Sequence, residues 1–301
     1  MRQGEIFSIS LDSQAVGRAM PVWIITPPGY VDDEQVVYPV LYFLHPWGLS
    51  PRYITDKLNI HLHLWRGIAD GTLPPMVIVL PAGEKSFFLN AADPPGHDWS
   101  SVVALHEDFF RAALDQYGCY GDYLLAEVIP YVEAHVRVRT DREGRAIGGI
   151  SMGGAAAAVH AFRAPDQFGT VGIHSPALFS GPPGNGGPPW IFGVDRESFS
   201  ARNPADAARN LGPDTQPRIY LDTGSQDMMR RAVEQLHAVL EEQDIAHHFA
   251  INPGAHDKSY WEPRMPEYLA FYAQTWVVAL RLSDAFFSAG NGVMIATARF
   301  V

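Results

Sequence analysis

The chain has 301 residues, of which 47% are apolar and 18% charged, and its formal net charge is −11. These values are typical of a globular protein with a large core, and they exclude a disordered or fibrous chain. The acidic balance argues against a nucleic-acid partner, which would need clustered Lys and Arg. The single cysteine, Cys119, excludes an intrachain disulfide and a cysteine-based metal cluster.

Leader and membrane segments are not evident. The first twenty residues contain no apolar run of the kind found in signal peptides, and no run approaches about 18 apolar residues. We therefore expect a cytoplasmic protein with no membrane insertion, with secretion after removal of a signal peptide as the alternative.

Short β-rich runs alternate with helical patterns along the chain. The predicted strands are 5–11, 19–26, 38–44, 76–81, 145–150, 170–175, 218–224 and 247–252, and the predicted helices are 121–136, 152–164, 227–243 and 266–282. From the third onward the strands are almost continuously apolar, which is typical of parallel strands buried on both faces. The first two lie close together and could pair as an antiparallel edge. The pattern predicts an α/β protein with a mostly parallel sheet of about eight strands and helices on both faces.

Two segments depart from this alternation. Residues 180–193 are rich in Gly and Pro and predict a surface loop. Residues 284–301 form an apolar tail that could make a late hairpin around Asn291-Gly292. We therefore predict one domain over residues 1–283, followed by a tail that packs on the body or contacts a partner.

One short motif carries most of the chemical information. Gly149-Ile150-Ser151-Met152-Gly153 fits the G-x-S-x-G pattern, and it follows a predicted strand and precedes an alanine-rich helix. Glycines around the serine would let the chain turn sharply from strand to helix without side-chain clashes. The pattern predicts that Ser151 is a nucleophile exposed at the carboxyl edge of the sheet.

A serine nucleophile needs a base and an acid that orients the base. In this type of fold the chain order is Ser, then Asp or Glu, then His. Asp227 and His256 fall in loops after two consecutive predicted strands, so both are expected at the edge that carries Ser151. Asp222 competes with Asp227 but lies within or at the end of its strand. Asp257 would have to fold back on its neighbour.

Two backbone N–H groups are expected to form an oxyanion hole. One belongs to Met152, directly after the serine. The other should come from the loop after the third strand, where Trp47 is the expected donor because Pro46 has no N–H. Trp47 could instead be a plain core aromatic.

The chain resembles the "putative esterase" (esterase D-like) family of α/β-hydrolases over residues 18–275. The similarity rests on YPVLYFLHPWG, on the long segment from GDYLLAEV to GIHSPAL, on LDTGSQD and on PGAHDKSYW. Members include S-formylglutathione hydrolases, feruloyl and acetylxylan esterases, enterochelin esterases and mycolyltransferases. The resemblance implies an α/β-hydrolase fold with Ser151 as nucleophile, Asp227 as acid, His256 as base, and Trp47 and Met152 as oxyanion donors.

The chain departs from the family pattern at two places. His45-Pro46 stands where the family usually has His-Gly or Asp-Gly, which leaves the second oxyanion donor open. The tail beyond about residue 283 lies outside the family pattern.

These residues predict a serine esterase that forms an acyl-enzyme on a small-molecule ester, with no cofactor or metal. His97, Trp99, His174 and Trp261 are expected to shape an aromatic pocket beside Trp47, although aromatic residues also fill cores. An acyltransferase or a thioesterase would use the same residues, and a non-catalytic binding module is a further alternative. His61 and His63 lack a third ligand at metal-binding spacing. A homo-oligomer is possible.

Overall fold

An eight-stranded sheet forms the centre of the molecule. The structure is a computed structural model that describes residues 3–92, 118–181 and 187–276. The strands are β1 (Ile6–Ser13), β2 (Arg18–Ile25), β3 (Val40–Leu44), β4 (Val77–Pro81), β5 (Arg145–Ile150), β6 (Thr170–His174), β7 (Arg218–Gly224) and β8 (His247–Asn252). All eight predicted strands are therefore present, with ends that differ by a few residues at most.

The sheet order is β1-β2-β4-β3-β5-β6-β7-β8. β1 pairs antiparallel with β2, and β2 pairs antiparallel with β4. The remaining neighbours, in the order β4, β3, β5, β6, β7 and β8, all pair in parallel. The predicted antiparallel edge is thus confirmed. Because parallel strands end at one edge, the loops after β3, β5, β6, β7 and β8 all emerge on the same side of the molecule.

Helices cover the first face of the sheet. They are α3 (Tyr120–Asp122), α4 (Ile129–His135), α5 (Met152–Arg163), α8 (Pro204–Ala208) and α9 (Arg230–Glu242). Val22, Tyr42, Ile147, Ile173 and Leu221 point from the strands into this core. Because successive residues of a strand face opposite sides of the sheet, the residues adjacent to these five in sequence point into a second core on the other face.

The second face is covered by α1 (Pro51–Asp56), α2 (Ile60–Ala69), α10 (Lys258–Trp261) and a helix over 265–276, here named α11. Ile25, Leu41, Ala146 and Tyr220 meet these helices. The two buried faces confirm the predicted α/β architecture.

The local structure differs from the sequence expectation at two proline-containing segments. A π-helical turn over Tyr123–Val128 joins α3 to α4 just before Pro130. Proline has no N–H for the preceding turn, so the wider hydrogen-bonding pattern accommodates it without a break. The predicted surface loop 180–193 contains a short helix, α6 (Pro189–Phe192), whose residues are buried. Another short helix, α7 (Arg196–Ser200), follows it.

The predicted domain limit at residue 283 and the tail 284–301 lie outside the described residues and stay predictions. Within residues 3–92, 118–181 and 187–276, the helices are all too short or too polar to cross a bilayer.

Candidate active site

Ser151 occupies a strained turn between β5 and α5. Its φ is +57° and its ψ is −117°, a region that residues other than glycine rarely adopt. A Cβ added at Gly149 would lie 2.5 Å from the carbonyl oxygen of Leu44, and one added at Gly153 would lie 2.2 Å from it. The two glycines therefore let β3 approach the turn closely.

A continuous hydrogen-bonded chain runs from this serine to a buried carboxylate. His256 Nε2 lies 2.8 Å from Ser151 Oγ, and His256 Nδ1 lies 2.8 Å from Asp227 Oδ2. An ionised carboxylate only accepts, so Nδ1 carries a proton and Nε2 is free to accept one from the serine hydroxyl. The structure thus brings together the three side chains that the sequence singled out, although they lie up to 105 residues apart.

Asp227 has further donors of its own. Ser175 Oγ donates to Oδ2 at 2.6 Å, and the backbone N–H of Met229 donates to Oδ1 at 2.8 Å. Burial by itself would raise the pKa of Asp227, but the hydrogen bonds from His256 and Ser175 outweigh burial, so its pKa lies below the usual value. The carboxylate is therefore held ionised and in a fixed orientation.

Sequence reasoning missed Ser175. It directly follows β6, with a φ of +43°, and its Oγ also lies 3.2 Å from His256 Nδ1. Ser175 lies at the end of β6, which is next to β5, the strand that leads to Ser151. This position could have suggested that Ser175 belongs to the site.

The competing acids have other partners. Asp257 accepts the backbone N–H of Ser259 and caps α10. Asp222 is fully buried and hydrogen-bonds to His174, Tyr260 and Tyr268 rather than to His256. The choice of Asp227 over Asp222 therefore agrees with the geometry.

The two expected oxyanion donors lie close to Ser151 in the fold. Met152 is the first residue of α5, where backbone N–H groups have no partner within the helix. Trp47 lies in the loop after β3 and lines the same cavity as Ser151. Their role as donors stays a prediction.

His45 fixes the loop that carries Trp47. The backbone N–H of Gly83 donates to His45 Nε2 at 2.9 Å, so His45 Nδ1 is protonated and donates to the carbonyl of Pro46 at 2.8 Å. Burial lowers the pKa of His45 to about 4, although the Pro46 carbonyl favours the charged form. A neutral imidazole therefore ties the loop after β3 to the loop after β4.

An apolar cavity of about 370 Å³ opens beside Ser151 and His256. The other side chains that line the cavity carry no charge. They are Pro46, Trp47, Leu49, Phe87, Ala177, Phe179, Pro188, Met229 and Trp261. The ring of Trp261 also contacts His256 edge-on, with centroids 5.3 Å apart.

Two expected pocket residues, Trp47 and Trp261, line this cavity, whereas His97 and Trp99 lie outside the described residues. The expectation for His174 is wrong. Its side chain is fully buried, hydrogen-bonded to Asp222 and stacked on Tyr268. As the last residue of β6, it points into the core, and the following residues, such as Ala177, reach the cavity. Sequence reasoning missed Phe87 and Phe179.

In the described part of the chain, no group of three or more His, Cys, Asp or Glu side chains is placed to hold a metal ion. His61 instead packs edge-on against Trp65.

Comparison with known proteins places the chain in a family. A family model described as "Putative esterase" matches residues 13–272, so the chain belongs to this family. An endo-1,4-beta-xylanase/feruloyl esterase from Xylanibacter ruminicola is 26% identical over 178 residues, which cover 58% of this chain and 22% of the relative. An iron(III) salmochelin esterase from Escherichia coli is 30% identical over 141 residues, covering 46% of this chain and 33% of the relative. The matches thus span about a fifth to a third of these relatives.

Solved structures show the same fold. A ferulic acid esterase superimposes with a TM-score of 0.75 at 21% identity, covering 91% of this chain and all of the other. An S-formylglutathione hydrolase from Staphylococcus aureus superimposes with a TM-score of 0.66 at 18% identity, covering 90% and 99% of the two chains. The fold is that of the α/β-hydrolases.

Proposed function

We propose that this protein hydrolyses carboxylic esters of neutral, apolar acids through an acyl-enzyme on Ser151. The observation that carries the proposal is the hydrogen-bonded chain Ser151–His256–Asp227, whose Ser151 and His256 line an apolar cavity. Membership in the esterase family supports it.

The proton route follows from the hydrogen bonds. As Ser151 Oγ attacks the ester carbonyl carbon, its proton passes to His256 Nε2, and the C–O bond forms. Asp227 accepts from Nδ1 and stabilises the imidazolium that results. His256 then donates this proton to the leaving alcohol as the ester C–O bond breaks. Water then attacks the acyl carbon and gives a proton to His256 Nε2. His256 returns this proton to Ser151 Oγ as the bond between Oγ and the acyl carbon breaks, which releases the acid.

The oxyanion would be stabilised by backbone N–H groups of Met152 and Trp47. Met152 begins α5, so the positive end of the helix dipole points toward the developing charge. The tether from His45 to Gly83 and Pro46 restrains the loop of Trp47 before substrate binds, which favours preorganised donors.

The cavity favours a neutral acyl group. Apart from His256, no Asp, Glu, Lys, Arg or His lies among its lining residues within the described structure. A carboxylate or phosphate placed there would lose its hydration without gaining a charged partner. Phe87, Phe179 and Trp47 line the cavity, and their aromatic rings would pack against an aliphatic or aromatic chain.

A panel of chromogenic esters tests the proposal. We expect butyryl and aromatic acyl esters to be hydrolysed with higher kcat/KM than a succinyl half-ester, whose free carboxylate would enter the apolar cavity. Ser151→Ala should lower kcat by roughly 10⁴-fold or more while the melting temperature changes little.

The products decide between hydrolysis and transfer. With an added alcohol, we expect free acid to remain the main product.

Two results of the ester panel would contradict the proposal. One is unchanged turnover in Ser151→Ala, and the other is a preference for the succinyl ester.

A further inference from the structure

A second acid–histidine pair lies directly beneath the site. Asp222 on β7 and His174 on β6 are paired across the two strands, and Asp222 Oδ1 lies 3.1 Å from His174 Nδ1. Both side chains are fully buried, and neither lines the cavity. The pair therefore cannot meet a substrate, and the proposed reaction leaves this buried carboxylate without a role.

The hydrogen bonds of this pair fix its protonation. Asp222 Oδ2 accepts the hydroxyls of Tyr260 at 2.6 Å and Tyr268 at 2.8 Å. Burial and the Asp222 charge raise the pKa of both tyrosines, so both remain donors. Burial lowers the pKa of His174, despite Asp222, and its Nε2 accepts the hydroxyl of Tyr272 at 2.8 Å. Asp222 thus receives three donors, which a buried carboxylate requires.

One of these donors belongs to the segment that carries His256. Tyr260 lies in α10, four residues after His256, and its ring packs on Gly254, where an added Cβ would lie 2.7 Å from the ring. Gly254 has a φ of +137°, and its carbonyl in turn presses against Gly224 at the end of β7. The loop that presents His256 is therefore held between β7 and Tyr260.

The same pair touches the segments that carry the other two residues. The carbonyl of His174 accepts the backbone N–H of Ser151 at 3.0 Å. The backbone N–H of Ser175 donates to the carbonyl of Asp222 at 2.9 Å, while Ser175 Oγ donates to Asp227. The backbone at His174 and Asp222 thus lies next to the segments that carry Ser151 and Asp227, whereas the Asp222 side chain reaches the His256 segment through Tyr260.

We propose that Asp222 is a positioning residue that acts through the Tyr260 hydroxyl to fix the His256 loop in its reactive geometry. The inference rests on the proposed function, because it assigns Asp222 to the support of His256 rather than to chemistry. A small displacement of a catalytic group lowers the reaction rate without abolishing substrate binding.

Tyr268 supplies a matched control. Its hydroxyl binds the same carboxylate oxygen, but it lies in α11, which carries none of the three site residues. Tyr260→Phe and Tyr268→Phe each remove one buried hydroxyl from Asp222 and should lower the melting temperature by similar amounts. Only the first releases the His256 loop.

The experiment measures kcat and KM on one aryl ester, with active sites counted by phosphonate titration so that misfolded protein does not contribute. We expect Tyr260→Phe to lower kcat about tenfold with KM changed less than twofold, and Tyr268→Phe to leave kcat within twofold. Equal kcat in both variants, whether lowered or unchanged, would overturn the inference. An inactive wild type that does not react with phosphonate would instead overturn the proposed function.

A double-variant cycle tests the route through Asp222. Asp222→Asn should lower kcat about tenfold, and adding Tyr260→Phe should lower it little further, because the two changes break one connection. Independent, multiplying losses would show that Tyr260 does not act through Asp222. If Asp222→Asn does not fold, the two phenylalanine variants still decide the question.

Discussion

At the residue scale, two aspartates lie only five positions apart, one on β7 and one in the loop after it, and their side chains have different surroundings. Asp222 is still part of the strand, so its side chain is directed into the core. Asp227 lies beyond the strand end, where the loop brings it to His256. The bond from Met229 N–H and the bond from Ser175 then orient its carboxylate.

Asp227→Asn should lower kcat by about 10⁴-fold, because an amide supports the wrong tautomer of His256. Asp257→Asn is the control: it changes the carboxylate next to His256 in sequence, and asparagine caps helices as well as aspartate does. Its kcat should stay within twofold. Steady-state kinetics on one ester measures both variants, and a larger loss in Asp257→Asn would refute the assignment of the acid.

Much of this scale was predictable from the sequence. The loop positions of Asp227 and His256 could be derived from strand order, because parallel strands end at one edge. The partners of Ser175 and His174 could not be derived. Whether a residue at a strand end points to the cavity or to the core depends on the local turn. Ser175 has a positive φ that the sequence does not predict.

At the element scale, the loops after β3 and β4 are joined by a buried histidine. His45 is 1% exposed, and its two ring nitrogens connect Gly83 to Pro46. The sequence flagged His45-Pro46 only as a departure from the family pattern. The structure explains how the loop is held with proline at this position.

His45 makes a pH-dependent contribution to stability whose sign is fixed by its lowered pKa. The folded protein keeps His45 neutral down to about pH 4, whereas an unfolded histidine binds a proton near pH 6.5. Proton binding therefore favours the unfolded state as the pH falls from about 6.5 to 4. By pH 4.5 this lowers the free energy of unfolding by on the order of 2 kcal/mol.

His45→Gln removes this titration while keeping an acceptor for the Gly83 N–H. Urea unfolding at pH 7.5 and pH 4.5 measures the effect. We expect the variant to lose on the order of 2 kcal/mol less than the wild type on acidification, although it is less stable at pH 7.5. An equal loss in both proteins would contradict a neutral buried His45.

At the scale of the whole molecule, strand order creates the site. The loops that follow β3, β5, β6, β7 and β8 converge at one edge because these strands are parallel and adjacent. The sequence predicted the strands, the parallel sheet and the antiparallel edge from apolar runs and turns. It predicted an aromatic pocket and two of its lining residues, Trp47 and Trp261, but not Phe87 and Phe179, since these come from loops whose packing depends on distant residues.

The most direct test of the account is to locate the nucleophile. Folded protein would be treated with a fluorophosphonate, digested, and examined by mass spectrometry. Ser175 is an internal control, because it also hydrogen-bonds to Asp227 but is fully buried. We predict one adduct per chain, on Ser151, that is absent from Ser151→Ala. No adduct, or one on Ser175 or any other residue, would contradict the account.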